Sequence, residues 1–369
     1  MKQSFILALS ILSALLLSVP EGTAQQTRML TADKSNEYGL VYTLPETAVL
    51  VSLTARRDVS RRGPFYQYAK KYLGTDKVVL EDSEKWTLTG ATMETYGIAD
   101  TENQYLMQLK PGSVTSICVD QNGMLLAINA QAQNPWTPQQ ASSPVVSTSP
   151  HSDPSKDYLQ YVDDDFIASQ SAAKQAQMLA ESLMEVREAK IALTRGTADP
   201  MPTDGRQLEL MLSSLERQEK AMTEAFTGVT WSETETRDFD LLPREAGRSI
   251  VCRLSDFAGF VDAEDLSGDP VYMNVEIVSE GSLPVDARGE EKKIPRDAVI
   301  YNLPGSASLL LSFKGKKLVE NEFRMAQFGT SFGLAPTLFS DKKEPYCAIF
   351  DPVTGALLES KAIKPEEAR

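Results

Sequence analysis

The residue best suited to general acid–base chemistry occurs once in this sequence. His151 is the only histidine among 369 residues, and it lies in a segment rich in Pro, Ser, Thr and Gln. A Ser or Cys triad needs a histidine as its base, and zinc sites commonly use one as a ligand. A polar, Pro-rich segment does not hold side chains in catalytic geometry. We therefore expect that a His151→Ala change leaves any activity unaltered.

One motif matches the pattern of a serine nucleophile. Residues 329–333 read Gly-Thr-Ser-Phe-Gly, which places Ser331 at the centre of a Gly-x-Ser-x-Gly sequence. That pattern requires a strand before the serine, a helix after it and a histidine further along the chain. Pro336 follows closely here, and no histidine lies downstream. The context favours a turn or loop over a nucleophile.

Acidic side chains are plentiful, but their spacing assigns no site. Asp262, Glu264, Asp265 and Asp269 do not follow the spacing of a calcium loop, which favours a solvated turn. The run 163–165 is all Asp and suits the positive end of a helix dipole better than a metal ion. Two carboxylates that meet in space could still support glycoside hydrolysis. A carboxylate-dependent polysaccharide hydrolase is therefore kept as the alternative function.

Cysteines and cofactor motifs add no chemistry. Cys118, Cys252 and Cys347 each lie in an apolar run, which favours core packing over a disulfide or a reactive thiol. The sequence has no Gly-rich phosphate loop, dinucleotide fingerprint or Cys-x-x-Cys pair. We assign no catalytic, cofactor-binding or metal-binding residues and no cofactor.

Four aromatic residues allow two interpretations. Phe65, Tyr68 and Tyr72 recur at helical spacing, and Tyr42 precedes a predicted strand. Such residues can line a carbohydrate-binding surface, but a helical aromatic stripe more often faces the core. We favour core packing.

The composition limits the class of partner. Asp and Glu total 51 against 37 Lys and Arg, so the net charge is −14 and the isoelectric point is about 4.8. Binding to nucleic acid or to an anionic membrane needs clustered positive charge. We therefore expect neither of these partners.

The first 24 residues have the pattern of a secretory signal peptide. Lys2 precedes an apolar run over 5–19, and small residues follow at 22–24. The run is too short to span a bilayer, and no later stretch resembles a transmembrane anchor. Cleavage is expected near Ala24, so the mature chain should begin near Gln25 and be periplasmic or secreted.

Hydrophobic periodicity predicts an α+β fold, with two related, mainly antiparallel β domains plus a long antiparallel helical hairpin. The hairpin helices should begin near Asp163 and Asp204 and end at Gly196 and Gly228. The predicted divisions are a signal peptide (1–24), an N-terminal β domain with one short helix (25–133), a Pro- and Ser-rich linker or exposed loop (134–157), the helical hairpin (158–228) and a C-terminal β domain (229–369).

Two pairs of short motifs indicate that the β domain is duplicated. Residues 42–45 read Tyr-Thr-Leu-Pro and residues 301–304 read Tyr-Asn-Leu-Pro, and the turns at 122–123 and 354–355 follow in the same order. Because proline cannot donate to a central ladder, Pro45 and Pro304 should each begin a strand. The leucines after each turn should pack into separate cores: Leu125 or Leu126 in one, and Leu357 or Leu358 in the other.

Further motifs span most of the chain. They are Tyr42-x-Leu44-Pro45, Gly63-Pro64-Phe65, Tyr68-Ala69-x-x-Tyr72-Leu73-Gly74, Arg187-Glu188, Leu303-Pro304-Gly305, Ala326-Gln327-Phe328-Gly329, Leu338-Phe339 and Thr354-Gly355-Ala356-Leu357. Together they resemble an uncharacterised, exported domain-of-unknown-function family of Bacteroidota. That family has no established activity, so the resemblance implies export and architecture but no catalytic residues. Leu334-Ala335-Pro336 departs from the family pattern, in which Leu directly precedes Pro.

These observations favour an exported, non-enzymatic interaction or structural protein of the cell envelope. The expected partner is a protein, with a glycan as the other candidate ligand. A concave cleft with two carboxylates about 5–10 Å apart and exposed aromatics would favour the hydrolase instead.

Overall fold

Strands make up most of the regular structure of this chain. The computed structural model describes residues 28–31, 40–107, 116–132, 138, 151–295, 298–341 and 344–363. The strands are β1 (Arg28–Thr31), β2 (Leu40–Arg61), β3 (Ser83–Met107), β4 (Ser116–Val119), β5 (Leu125–Ile128), β6 (Val229–Leu241), β7 (Gly247–Ser255), β8 (Gly259–Val261), β9 (Asp269–Ser279), β10 (Val299–Phe313), β11 (Lys316–Leu334), β12 (Tyr346–Phe350) and β13 (Leu357–Ala362). The helices are α1 (Ala69–Leu73), α2 (Asp164–Ala168), α3 (Ala172–Arg195) and α4 (Gly205–Thr227).

The strands join into antiparallel sheets. One sheet has the order β3-β2-β6, and a second has the order β11-β10-β9-β7-β8. A third sheet, β1-β4-β5-β12-β13, joins the hairpin β4–β5 to the hairpin β12–β13. The first two sheets pack their apolar faces against each other, as in a β-sandwich.

The core between these two sheets, here called the sandwich core, follows from alternation along the strands. Val49, Val51 and Leu53 of β2 are fully buried, with more exposed residues between them. They pack in one cluster with Val271 of β9 and Leu309 of β10. Full burial of a Val or Leu side chain stabilises the fold by about 1.5–3 kcal/mol.

A second core, here called the junction core, holds the third sheet onto the long strand pairs β2–β3 and β10–β11. Tyr42 of β2 and Tyr301 of β10 cluster there with Ile128 of β5 and Phe350 of β12. Leu125 is buried in this core, and Leu357 packs against it. The prediction of separate cores for the two regions is therefore wrong, because both regions contribute side chains to both cores.

The helices pack around a third, helical core. It contains Phe65 and Ala69 near α1, Leu179 and Leu183 of α3 and Phe226 of α4. The expected helix ends are present at Gly196, which is left-handed with φ of 71°, and at Gly228. Asp163 caps only the short helix α2, however, and α3 begins separately after Ser171.

The predicted α+β fold with a long antiparallel helical hairpin is wrong. Strands account for 47% of the structure and helices for 23%, and the helices are short to medium in length. Helices α1 and α2 have five residues each, while α3 has 24 and α4 has 23. The strong helical periodicity of α3 and α4 led us to overestimate the helical part of the fold. The longest pairing in the structure is between strands β2 and β3. The fold is mostly β.

The two repeated motifs have matching backbone environments. The N–H of Thr43 donates to the carbonyl of Gly123 at 2.9 Å, and the N–H of Asn302 donates to the carbonyl of Gly355 at 3.0 Å. Each contact accompanies an isolated parallel bridge to the residue after that glycine. The predicted correspondence between the motifs and the two turns is present at this level.

The two prolines lie inside strands, so the prediction that each begins a strand is wrong. The register of β2 shifts between Thr43 and Pro45, and the register of β10 shifts between Leu303 and Gly305, on either side of Pro304. A proline lacks the N–H that a regular ladder uses, and an irregular position removes that need. The strand pairs β2–β3 and β10–β11 therefore have an irregular register at the same motif.

Candidate functional site

Strand register gathers charged and aromatic side chains on one face of the β3-β2-β6 sheet. Trp86, Arg57 and Glu233 lie in line across β3, β2 and β6. In the neighbouring row, Glu84 and Trp231 lie on either side of Val59. Residues two positions apart on a strand face the same side, so all of these residues share one face.

Ion pairs connect this group, here called the Arg57 cluster. Arg57 lies 2.6 Å from Glu84 and 3.2 Å from Glu233, and Arg61 lies 3.1 Å from Glu84. Burial opposes the charge of Glu84, but hydrogen bonds from Arg57 and Arg61 outweigh it and lower the pKa of that carboxyl. Burial likewise opposes the charge of Arg57, but Glu84 and Glu233 raise its pKa. Glu84 is therefore held ionised.

His151 belongs to the same cluster, although the sequence placed it in an exposed linker. Its ring stacks on Trp231 with centroids 4.6 Å apart, and its Nε2 lies 2.8 Å from Glu233 Oε1. The residues that follow it are ordered too, and Tyr158 is buried in the helical core. The backbone at His151 has no regular secondary structure, but the contacts of its side chain were not predicted. Nothing in its local sequence signals this contact, since its partners lie about 80 residues away.

In the Arg57 cluster, the carboxylates are paired with arginine side chains. Glu233 accepts from Arg57 and faces His151, while Glu84 accepts from two arginines. No serine or cysteine hydrogen-bonds to His151 in the part of the chain that the structure describes. A general base needs a free lone pair near its target, and an acid needs a carboxyl that retains its proton. The arrangement therefore favours a structural role.

Ser331 is not a nucleophile elbow. It lies within β11, opposite Asn302 of β10, so no helix follows it directly. The predicted turn or loop is wrong as well, because the whole Gly-x-Ser-x-Gly motif is strand.

The acidic segments form closed local structures. In the loop between β8 and β9, Asp265 accepts from the N–H of Ser267, and Arg253 donates to the carbonyls of Ala263 and Gly268. Asp269 pairs with Lys314 instead. Across the described ranges, no group of three or more His, Cys, Asp and Glu side chains is arranged to hold a metal ion.

The aromatic residues and cysteines pack as predicted in the cores. Phe65 is buried with Tyr68 and Tyr72 against it, and Tyr42 is buried in the junction core. The Tyr42 hydroxyl accepts from the N–H of Ile300 at 2.7 Å and donates to its carbonyl, and burial raises the pKa of this phenol. All three cysteines are buried and unpaired.

Glu224 is the carboxyl whose environment comes closest to that of a catalytic acid. Burial raises its pKa, against the lowering effect of a hydrogen bond from Ser152. Its Oε2 is fully buried, with no hydrogen-bond partner among the described residues. A substrate therefore has no direct path to that oxygen.

A shallow concave surface lies between α1 and α3, and we call it the α1–α3 groove. Its volume is about 600 Å³, and its lining residues are Lys71, Tyr72, Gln177, Ala180, Glu181, Met184 and Glu185. The five residues from α3 recur at helical spacing and therefore share one face. Sequence reasoning missed this face because it followed the buried stripe of Leu179 and Leu183.

The groove combines an apolar base with a charged rim. Met184 is 39% exposed, and Lys71 lies over the ring of Tyr72 at 4.6 Å. Gln177 donates to Glu181 at 2.8 Å, while Glu185 has no ion-pair partner among the described residues. This surface can accept an apolar side chain and a positive charge together.

Comparison with known families places most of this architecture in one family. A family model described as a domain of unknown function, DUF4831, matches residues 38–358. The chain belongs to the DUF4831 family. The prediction of an uncharacterised domain-of-unknown-function family is therefore confirmed. Neither curated proteins nor solved structures give a match.

A side-chain contact connects the two repeated motifs in this DUF4831 chain. The Asn302 side chain donates to the carbonyls of Pro45 and Thr354, which ties the two repeated motifs together. In the described part of this DUF4831 chain, no helix is long and apolar enough to cross a membrane.

Proposed function

We propose that this DUF4831 protein is an exported, non-enzymatic interaction protein of the cell envelope of Bacteroidota. The observation that carries this proposal is the α1–α3 groove, which exposes Met184 beside the carboxylates of Glu181 and Glu185. Apolar surface rimmed by polar residues is typical of sites that bind other proteins.

The partner surface follows from the charge of the groove. Two glutamates line it, and Lys71 is already held over Tyr72. A protein segment that presents a large apolar side chain next to Lys or Arg fits this combination. Hydrolysis is not part of the proposal, because Glu84 is held ionised and the Oε2 of Glu224 is buried.

A charge-reversal experiment tests the groove. The Glu185→Lys variant should lose an envelope partner that the wild-type protein captures by cross-linking, and the mapped contact on the partner should be basic and apolar. The matched control is Glu322→Lys, which reverses an exposed charge on β11 and should retain the partner. Equal capture by both variants would contradict the proposal.

Export has its own test. Support comes from the positive and then apolar pattern of residues 1–24, which lie outside the described residues. Sequencing the N-terminus of the protein from an envelope or secreted fraction should give Gln25 or a residue next to it. A retained Met1 in that fraction would contradict export by signal cleavage.

A further inference from the structure

The third sheet joins the two repeated hairpins through a defined pair of edges. Strand β5, the second strand of the first hairpin, pairs with β12, the first strand of the second hairpin. Ile128 lies opposite Ala348, and Ala127 lies opposite Ile349. The two repeats therefore associate in order, as successive units in a row.

Strand β4 corresponds to strand β12. Strand β1 pairs with the edge of β4 that corresponds to the edge of β12 paired with β5. Leu30 lies opposite Ile117, and the pairing is antiparallel as in β5–β12. Ile117 and Ala348 correspond, since each lies three residues before the Asp that opens its hairpin turn. Residues 28–31 therefore take the place that a preceding hairpin would take.

The other end of the row is open in the part of the sheet that is described. The outer edge of β5 is covered by β12, but no described strand pairs with the outer edge of β13. Ile363 donates from its backbone to Pro345 at 2.7 Å, so alternation turns the backbone groups of Ser360 outward. Ser360 corresponds to Ile128, since each lies four residues after its bridge residue, Ala356 or Met124.

We propose that copies of this chain join head to tail, with β13 of one copy pairing with β4 of the next after β1 leaves that edge. The backbone of Ser360 then lies opposite Ile117 of a second copy, as Ile128 lies opposite Ala348 within one chain. The occupant is a second copy because this chain already contains both halves of the contact. A head-to-tail contact of this kind generates a ring or a filament. The proposal is independent of the α1–α3 groove.

One substitution in β1 and one in β13 test the two sides of the proposed contact separately. Asn129 donates to the Ser116 carbonyl on the β5 side, so the backbone groups of Ile117 face β1. Leu30→Pro removes the backbone N–H of β1 that faces Ile117. This variant should assemble, with its mass in light scattering rising from one chain to two or more as concentration increases about 100-fold. Adding Ser360→Pro should return it to one chain, because Pro removes the outward donor of β13 and leaves the pairing to β12.

The matched control is Ser360→Ala, which keeps the backbone donor and should leave assembly of the Leu30→Pro variant unchanged. If Leu30→Pro does not fold, Leu30→Gly weakens the same strand and carries the same readouts. A folded β1 variant that stays a single chain at every concentration would overturn the proposal. Assembly that persists with Ser360→Pro would also overturn it, because the contact would then lie elsewhere.

Discussion

At the residue scale, the side chain of Gln327 forms hydrogen bonds to backbone groups of two other segments. Its Nε2 donates to the carbonyls of Thr47 and Pro243 at 2.9 and 2.8 Å, and its Oε1 accepts from the N–H of Thr47 at 3.0 Å. The hydroxyl of Thr47 continues this connection, since it donates to Val353 and accepts from Ala326. These contacts give Gln327 a structural role.

Replacing Gln327 should cost the fold much of its stability. Gln327→Ala leaves the N–H of Thr47 and the carbonyl of Pro243 without this partner, so the free energy of unfolding should fall by about 2–4 kcal/mol. Denaturant unfolding followed by circular dichroism measures the change. The control is Gln177→Ala on the surface of α3, which should change stability by less than about 0.5 kcal/mol. Equal effects of the two substitutions would contradict this role.

Cys252 should behave as a protected thiol. Burial raises its pKa from 9.0 to about 12, with a smaller lowering effect from Arg237. We expect native protein to resist thiol reagents up to about pH 9, and unfolded protein to react at once. Because the pKa is raised in the folded state, the unfolded thiol ionises first, and stability should fall as pH rises from about 9 towards 12. Rapid labelling of Cys252 in native protein, located by mass spectrometry, would contradict this prediction.

At the element scale, the segment from His151 to Tyr161 connects the helices to the sheet. His151 contacts Trp231 and Glu233 of β6, while Tyr158 packs in the helical core beside Phe65. Two anchors of different chemistry therefore hold a segment that has little regular structure of its own. Its order depends on those contacts.

Removing the first anchor should loosen this segment. His151→Ala loses the stacking contact and the hydrogen bond to Glu233, so opening of residues 151–157 should become easier by about 1–2 kcal/mol. Hydrogen exchange of the backbone amides measures this local opening. The control is Lys156→Ala, since that side chain is 77% exposed and its ion pair to Asp153 is 3.6 Å long. Unchanged exchange in the His151→Ala variant would show that the contact does not hold the segment.

At the scale of the whole molecule, both repeats contribute to the sandwich and junction cores. Val51 of the first repeat and Leu309 of the second are fully buried in the same cluster, and Tyr42 and Tyr301 share the other. Neither repeat can unfold without exposing apolar surface of the other. The two repeats are thus one unit energetically.

The β part of the chain should unfold in a single cooperative transition. Val51→Ala and Leu309→Ala should each lower the stability of that one transition by about 2–4 kcal/mol, through lost burial and the cavity left behind. Tryptophan fluorescence and far-ultraviolet circular dichroism should report the same midpoint. Two separated midpoints, each sensitive to only one of the substitutions, would indicate independent domains.

Some features of this structure could be predicted from local sequence alone. The left-handed glycines at 74 and 196, the cap at Asp204 and the hairpin turn at 122–123 each depend on a few neighbouring residues. The packing of Phe65, Tyr68 and Tyr72 into one core also follows from their local spacing. The Arg57 cluster and the α1–α3 groove could not be predicted this way, because Arg57 meets Glu233 and Tyr72 approaches Met184 only through strand register and helix packing.

The sequence by itself determined the family, the repeated motifs and the prominence of strands in the two repeats, because composition and short-range patterns specify local backbone preferences. Only the tertiary structure decided that the repeats share their cores, that Pro45 and Pro304 lie within strands and that His151 is anchored. Those outcomes depend on which buried surfaces meet. The energy of burial is not directional, so no local pattern of residues specifies the partner.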